Sequence, residues 1–100
     1  MSGEETLAFD FESYLEGGAP RMFHCVGAPK LDMWRVVVKR VKSGRYFMSI
    51  SGDVTGHPGH ADGSRIETSA IVWMDRKMTW CRSINRLYML GDREITLDGF

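Results

Sequence analysis

Apolar and polar residues alternate along much of the second half of the chain. In "RYFMSISGDVTG" (residues 45–56), Tyr46, Met48 and Ile50 share one face, and Arg45, Phe47, Ser49 and Ser51 the other. In "RIETSAIVWMD" (65–75), Ile66, Thr68, Ala70, Val72 and Met74 fall together. A period of two is that of a β-strand with unlike faces. "WRVVVKRV" (34–41) adds a β-branched run, and Ser43-Gly44 supplies a turn after it. The period over "MTWCRSINRLYML" (78–90) predicts one more strand, closed by Gly91.

Upstream the period changes. Leu7, Phe11 and Tyr14–Leu15 recur at helical spacing, acids occupy the first turn, and Gly17-Gly18 end the run. Pro20 suits the first position of a second short helix that stops by Gly27, and Pro29 then redirects the chain. The expected fold is therefore α+β: an N-terminal helical segment packed on a four-stranded, mostly antiparallel β-meander. All 100 residues form a single domain, with residues 1–27 helical, 34–91 β-sheet and 92–100 a tail that forms a short edge strand or frays.

Composition narrows the class. A 43% hydrophobic and 26% charged chain is that of an ordinary soluble domain, and no apolar run approaches the ~20 residues of a membrane span. The acidic N-terminus lacks a signal core, and Cys25 and Cys81 form neither a zinc pattern nor a disulfide framework. A cytoplasmic protein without membrane contact is expected. The formal charge is zero but unevenly spread. Residues 1–20 carry five acids and no base, whereas residues 21–50 carry seven bases against Asp32 alone. Such asymmetry bears on partners, or on an acidic segment that neutralises a basic one.

Two regions offer binding chemistry. Arg35, Lys39, Arg40, Lys42 and Arg45 cluster without an acid among them, which suits phosphate or an acidic protein surface. The same residues also serve to blunt an edge strand. In the last expected strand, Trp80, Arg82, Arg86 and Tyr88 form a row of aromatics and cations. Such a row suits stacked bases or a protein hot spot, or packs its arginines against acids at the core edge.

The loop "GDVTGHPGHADG" (52–63) raises the question of metal or catalysis. His57, His60 and Asp62 are three ligand types on a glycine-rich loop, short of the donor set a closed zinc site needs. Pro58 and Asp62-Gly63 are ordinary turn chemistry. Neither thiol has a local activating group, so no catalytic residue, metal or cofactor is expected and the chain reads as a non-enzyme. A small metal- or thiol-dependent enzyme is the more remote alternative.

The order G-x-V-x-G-H-P, D-G-x-x-I-x-T-S and W-x-R-[ST]-x-x-R-x-Y-x-L-G resembles a domain-of-unknown-function family of short bacterial and prophage proteins. It runs through Gly52, Gly56, His57, Pro58, Asp62, Gly63, Ile66, Thr68, Ser69, Trp80, Arg82, Ser83, Arg86, Tyr88, Leu90 and Gly91. "APKLDMW" resembles the family's lead into its first strand, so the likeness covers roughly residues 28–91. It implies a mobile-element setting and no established activity; His60 lies outside the pattern. Within that pattern His57, Asp62 and Thr68 are expected to clasp the loop against the sheet, with His57 bonded to a backbone carbonyl or to Thr68. The expected function is a non-enzymatic inhibitor or modulator. It would occupy a surface on a host protein or ribonucleoprotein complex that handles nucleic acid, as anti-CRISPR proteins do. Direct nucleic-acid binding by the basic and aromatic strand face is the alternative.

Overall fold

The computed structural model describes residues 12–18, 20 and 22–94, with the side chains of 22–24 excepted. Leu7 and Phe11 of the expected first helix and the tail beyond Glu94 lie outside these residues. A helical turn at 12–15 precedes a short helix, α1 (Met22–Gly27). Six strands follow: β1 (Lys30–Arg40), β2 (Tyr46–Thr55), β3 (Arg65–Glu67), β4 (Ile71–Met74), β5 (Trp80–Ser83) and β6 (Leu87–Leu90).

They form one mixed sheet in the order β3-β2-β1-β6-β5-β4. Neighbours pair antiparallel except β1 and β6, which run parallel. The expected helix on a four-stranded antiparallel meander is therefore corrected: among the described residues the fold is mostly sheet, six-stranded and mixed, with only very short helices. Two local causes split the strands. Residues 65–75 break at Thr68–Ala70 into β3 and β4, which sit at opposite edges of the sheet. Residues 78–90 break at a tight turn held by Ser83. Its Oγ accepts from the Asn85 and Arg86 amides at 3.2 and 3.1 Å, and the Ser83 amide donates to Arg86 O at 2.9 Å. Serine and asparagine favour such turns by bonding nearby backbone, which overrides the strand period.

The short link between the edges dictates the shape. Six flat strands at about 4.8 Å spacing would put their edges about 24 Å apart. Four Cα steps from Glu67 to Ile71 reach about 14 Å at most. The sheet must curl to bring β3 towards β4. The Thr68 amide donates to Ile50 O at 2.8 Å, the Ile50 amide donates to Thr68 Oγ1 at 3.0 Å, and the Ile84 amide donates to Ala70 O at 3.0 Å. The connector is thereby stitched to β2 on one side and to the β5–β6 turn on the other.

Inside the curl lie Leu31, Trp34, Ile50, Val54, Ile66, Cys81, Tyr88 and Leu90, with Ile71 and Met74 against them. β1 carries one extra residue between Asp32 and Arg35, a bulge at which Met33 adopts φ 51°. The bulge swings Trp34 into the core, and Gly52 leaves room for it: a Cβ there would lie 3.2 Å from Trp34 Cβ, Leu31 Cβ and Asp32 O. The Trp34 indole donates to Gly91 O at 3.0 Å, fixing the chain after β6 beside β1. Outside the sheet, Tyr14 covers Trp80 and Trp73, with ring centroids 4.9 and 5.7 Å apart. All four residues of β5 are consequently buried, two under each cover.

Candidate functional site: a projecting basic ribbon and a closed loop

β1 and β2 are longer than the sheet they belong to. Among the described residues, β6 and the chain after it accompany β1 only through Trp34, where the Trp34 amide donates to Asp92 O and the Glu94 amide to Trp34 O. β3 accompanies β2 only at Ser51–Asp53. Residues 36–48 therefore project as a two-stranded ribbon, closed by a turn in which the Val41 amide donates to Arg45 O and Gly44 takes φ 85°.

The five cations of the first hairpin all lie on this ribbon or at its base, and all are exposed. Arg35 and Lys39 sit on the outer face. Arg35 Nε lies 3.7 Å from Glu94, and the Lys39 ammonium contacts the Glu67 carboxylate. Arg40, Lys42 and Arg45 pair with no acid among the described residues, and Arg40 lies over the Tyr46 ring at 5.9 Å. On the face continuous with the core, register sets Val36 opposite Ile50, Val38 opposite Met48 and Arg40 opposite Tyr46. Ile50 is fully buried, but Val38 is 65% and Tyr46 67% exposed, so the apolar stripe runs out of the core into solvent. Cations beside uncovered apolar side chains make a surface suited to acidic protein.

The Trp80, Arg82, Arg86 and Tyr88 row is not a row in the folded chain. β5 and β6 fold back on each other, with Cys81 opposite Tyr88 and Arg82 opposite Leu87. Trp80, Arg82 and Tyr88 are 8%, 4% and 5% exposed, leaving no ring face free for stacking; Arg86 alone is half-buried. Arg82 is on the outer side of β5, paired across with Trp73 on the face that Tyr14 covers.

The glycine-rich loop is closed by its own bonds. The Gly56 amide donates to Asp62 Oδ1 at 2.9 Å, the Gly63 amide to Val54 O at 2.7 Å, and the Gly59 amide to His57 Nδ1 at 2.8 Å. His57 stacks on Tyr88 at 6.2 Å and meets His60 edge-on at 4.6 Å, which lays the loop over β6. Thr68 is engaged elsewhere: its hydroxyl donates to Ser69 O and accepts from the Ile50 amide. Burial, then the charge of Arg86, then His60, hold the His57 pKa below its usual value. The accepting Nδ1 fits that neutral imidazole. No group of three or more His, Cys, Asp or Glu side chains converges on a metal-sized site among the described residues. Burial pushes the Cys81 thiol up to about 12, far from a working thiolate, and Cys25 Sγ donates to Pro20 O.

Arg65 was not singled out by sequence. Its guanidinium donates to Met33 O at 2.7 Å, to Asp53 at 3.3 Å and to Glu94 at 3.4 Å. It fastens the bulge, β2 and the chain after β6 at the root of the ribbon. Nothing local signals this, because the partners are 12 to 32 residues away. The uncovered valines did leave a trace. "RVVVKRV" has valines at both parities, which a single buried face does not require.

No helix among the described residues is long and apolar enough to cross a membrane. Compared with protein-family models, curated proteins and solved structures, the chain matches none, so its own geometry carries the functional reading.

Proposed function

We propose that this chain is a non-enzymatic binding protein that docks through the β1–β2 ribbon onto an acidic protein surface. One observation carries the reading: Arg40, Lys42 and Arg45, without acid partners among the described residues, flank exposed Val38 and Tyr46 on an element that projects from the sheet. A dedicated phosphate-binding surface has less use for bare valine beside its cations. Steric occupation needs no catalytic group, which accords with a buried Cys81 and a self-bonded histidine loop. In the mobile-element setting implied by the resemblance, the partner is a host protein or ribonucleoprotein complex, and docking inhibits or modulates it.

The test is capture of partners from host lysate by the tagged chain, with and without nuclease. The triple variant Arg40→Glu, Lys42→Glu and Arg45→Glu is compared with Arg86→Glu. A discrete protein that survives nuclease and is lost only in the triple variant is the expected result. Material that disappears with nuclease moves the nucleic-acid reading ahead.

A further inference from the structure

The ribbon carries backbone as well as side chains. Ile50 spends both its amide and its carbonyl on Thr68, away from β1. The antiparallel pair Val36–Ile50 is thus a non-hydrogen-bonded one. Alternation then turns the amides and carbonyls of Val36, Val38 and Arg40 away from β2, while Arg35, Val37 and Lys39 bond across to it. Trp34 agrees from the other direction, since its amide and carbonyl already serve the parallel chain at Asp92 and Glu94. β1 is an interior strand up to Trp34 and, among the described residues, an edge strand beyond it.

We infer that this edge of β1, from Val36 to Arg40, takes an extended acidic segment of a partner protein as an added strand. The inference rests on the binding reading above and names how the ribbon binds. Three outward-facing residues offer alternating donors and acceptors, the main-chain groups that a strand-adding peptide bonds. Their side chains supply an apolar strip, Val36 and Val38, ending at the cation Arg40. Charge selects the occupant. A second copy would add its own Arg40, Lys42 and Arg45 to this edge and bring no acid to meet them, and such cations are how exposed edges resist self-pairing. A segment alternating acidic and β-branched residues meets both the cations and the valines.

The experiment uses the full chain and a labelled synthetic peptide alternating glutamate with valine and threonine, read by fluorescence anisotropy. Saturable binding is expected, with none for the same peptide carrying lysine in place of glutamate. Val38→Pro removes one outward donor on an edge where proline is tolerated, and binding weakens by roughly tenfold or more. Methylating alternate backbone nitrogens of the peptide, with the protein unchanged, gives the same loss, so a variant that fails to fold does not decide the matter. Equal binding despite both changes overturns strand addition. If the Arg40→Glu, Lys42→Glu and Arg45→Glu variant still abolishes binding in that case, the ribbon remains the docking element and only the strand mechanism falls. Loss with Met48→Pro but not Val38→Pro moves the added strand to β2. Concentration-dependent dimerisation sensitive to Val38→Pro assigns the edge to a second copy. Either result also overturns the inference.

Discussion

The two ends of the β1–β2 hairpin share one ladder, yet they do opposite things. Near the root, Leu31, Trp34, Ile50 and Val54 point into the curled sheet and are essentially sealed from water. Towards the tip, Val38 and Tyr46 stand on the same face and are mostly exposed. The difference is the neighbours: β6 and β3 flank the root and stop before the tip. Apolar side chains on a sheet face are core only where something covers them, so a binding surface here is a continuation of the core beyond its cover.

The strongest way to break this comparison is to truncate one side chain in each half. Trp34→Ala removes a 2% exposed indole and should cost about 3–5 kcal/mol in chemical denaturation. Val38→Ser, on the same face four residues on, should stay within about 0.5 kcal/mol. Comparable losses at the two sites would mean the tip is covered after all. Amide exchange sharpens the comparison residue by residue. Arg35, Val37 and Lys39 should be protected and Val36, Val38 and Arg40 should exchange freely. Uniform protection along β1 would show its outer edge occupied.

The smallest expected effect lies in the histidine loop. His57 has a depressed pKa when folded, so its stabilising contribution is present above the unfolded value of about 6.5 and is lost as the pH falls through the folded value. Protonation also takes Nδ1 away from the Gly59 amide. A proton NMR titration should give His57 a lower midpoint than His57 in the unfolded chain, with the Gly59 amide shifting in step. A midpoint at or above the unfolded value would separate the loop from Tyr88 and Arg86.

Strand character was readable wherever the period of two was unbroken, as from Tyr46 to Thr55. It failed at residues 78–90, because Ser83 Oγ accepts from the Asn85 and Arg86 amides and turns the chain without disturbing the apolar period on either side. That one turn decided the candidate site as well. It sent Tyr88 into the core opposite Cys81, and Tyr14 closed over Trp80, so an apparent recognition row became interior. The cationic hairpin was legible because charge clustered over a short stretch needs no tertiary partner to be seen.

The sequence alone determined which segments pair locally: β1 with β2 through the Ser43-Gly44 turn, the acid-free cation cluster, and a histidine loop built from turn residues. Tertiary structure alone decided the parallel meeting of β1 and β6, the curl forced by Thr68–Ala70, and where cover ends along the ribbon. The physical reason is range. Periodicity and turn chemistry act over a few residues, whereas exposure depends on neighbours that arrive from as far as Gly91 and Glu94.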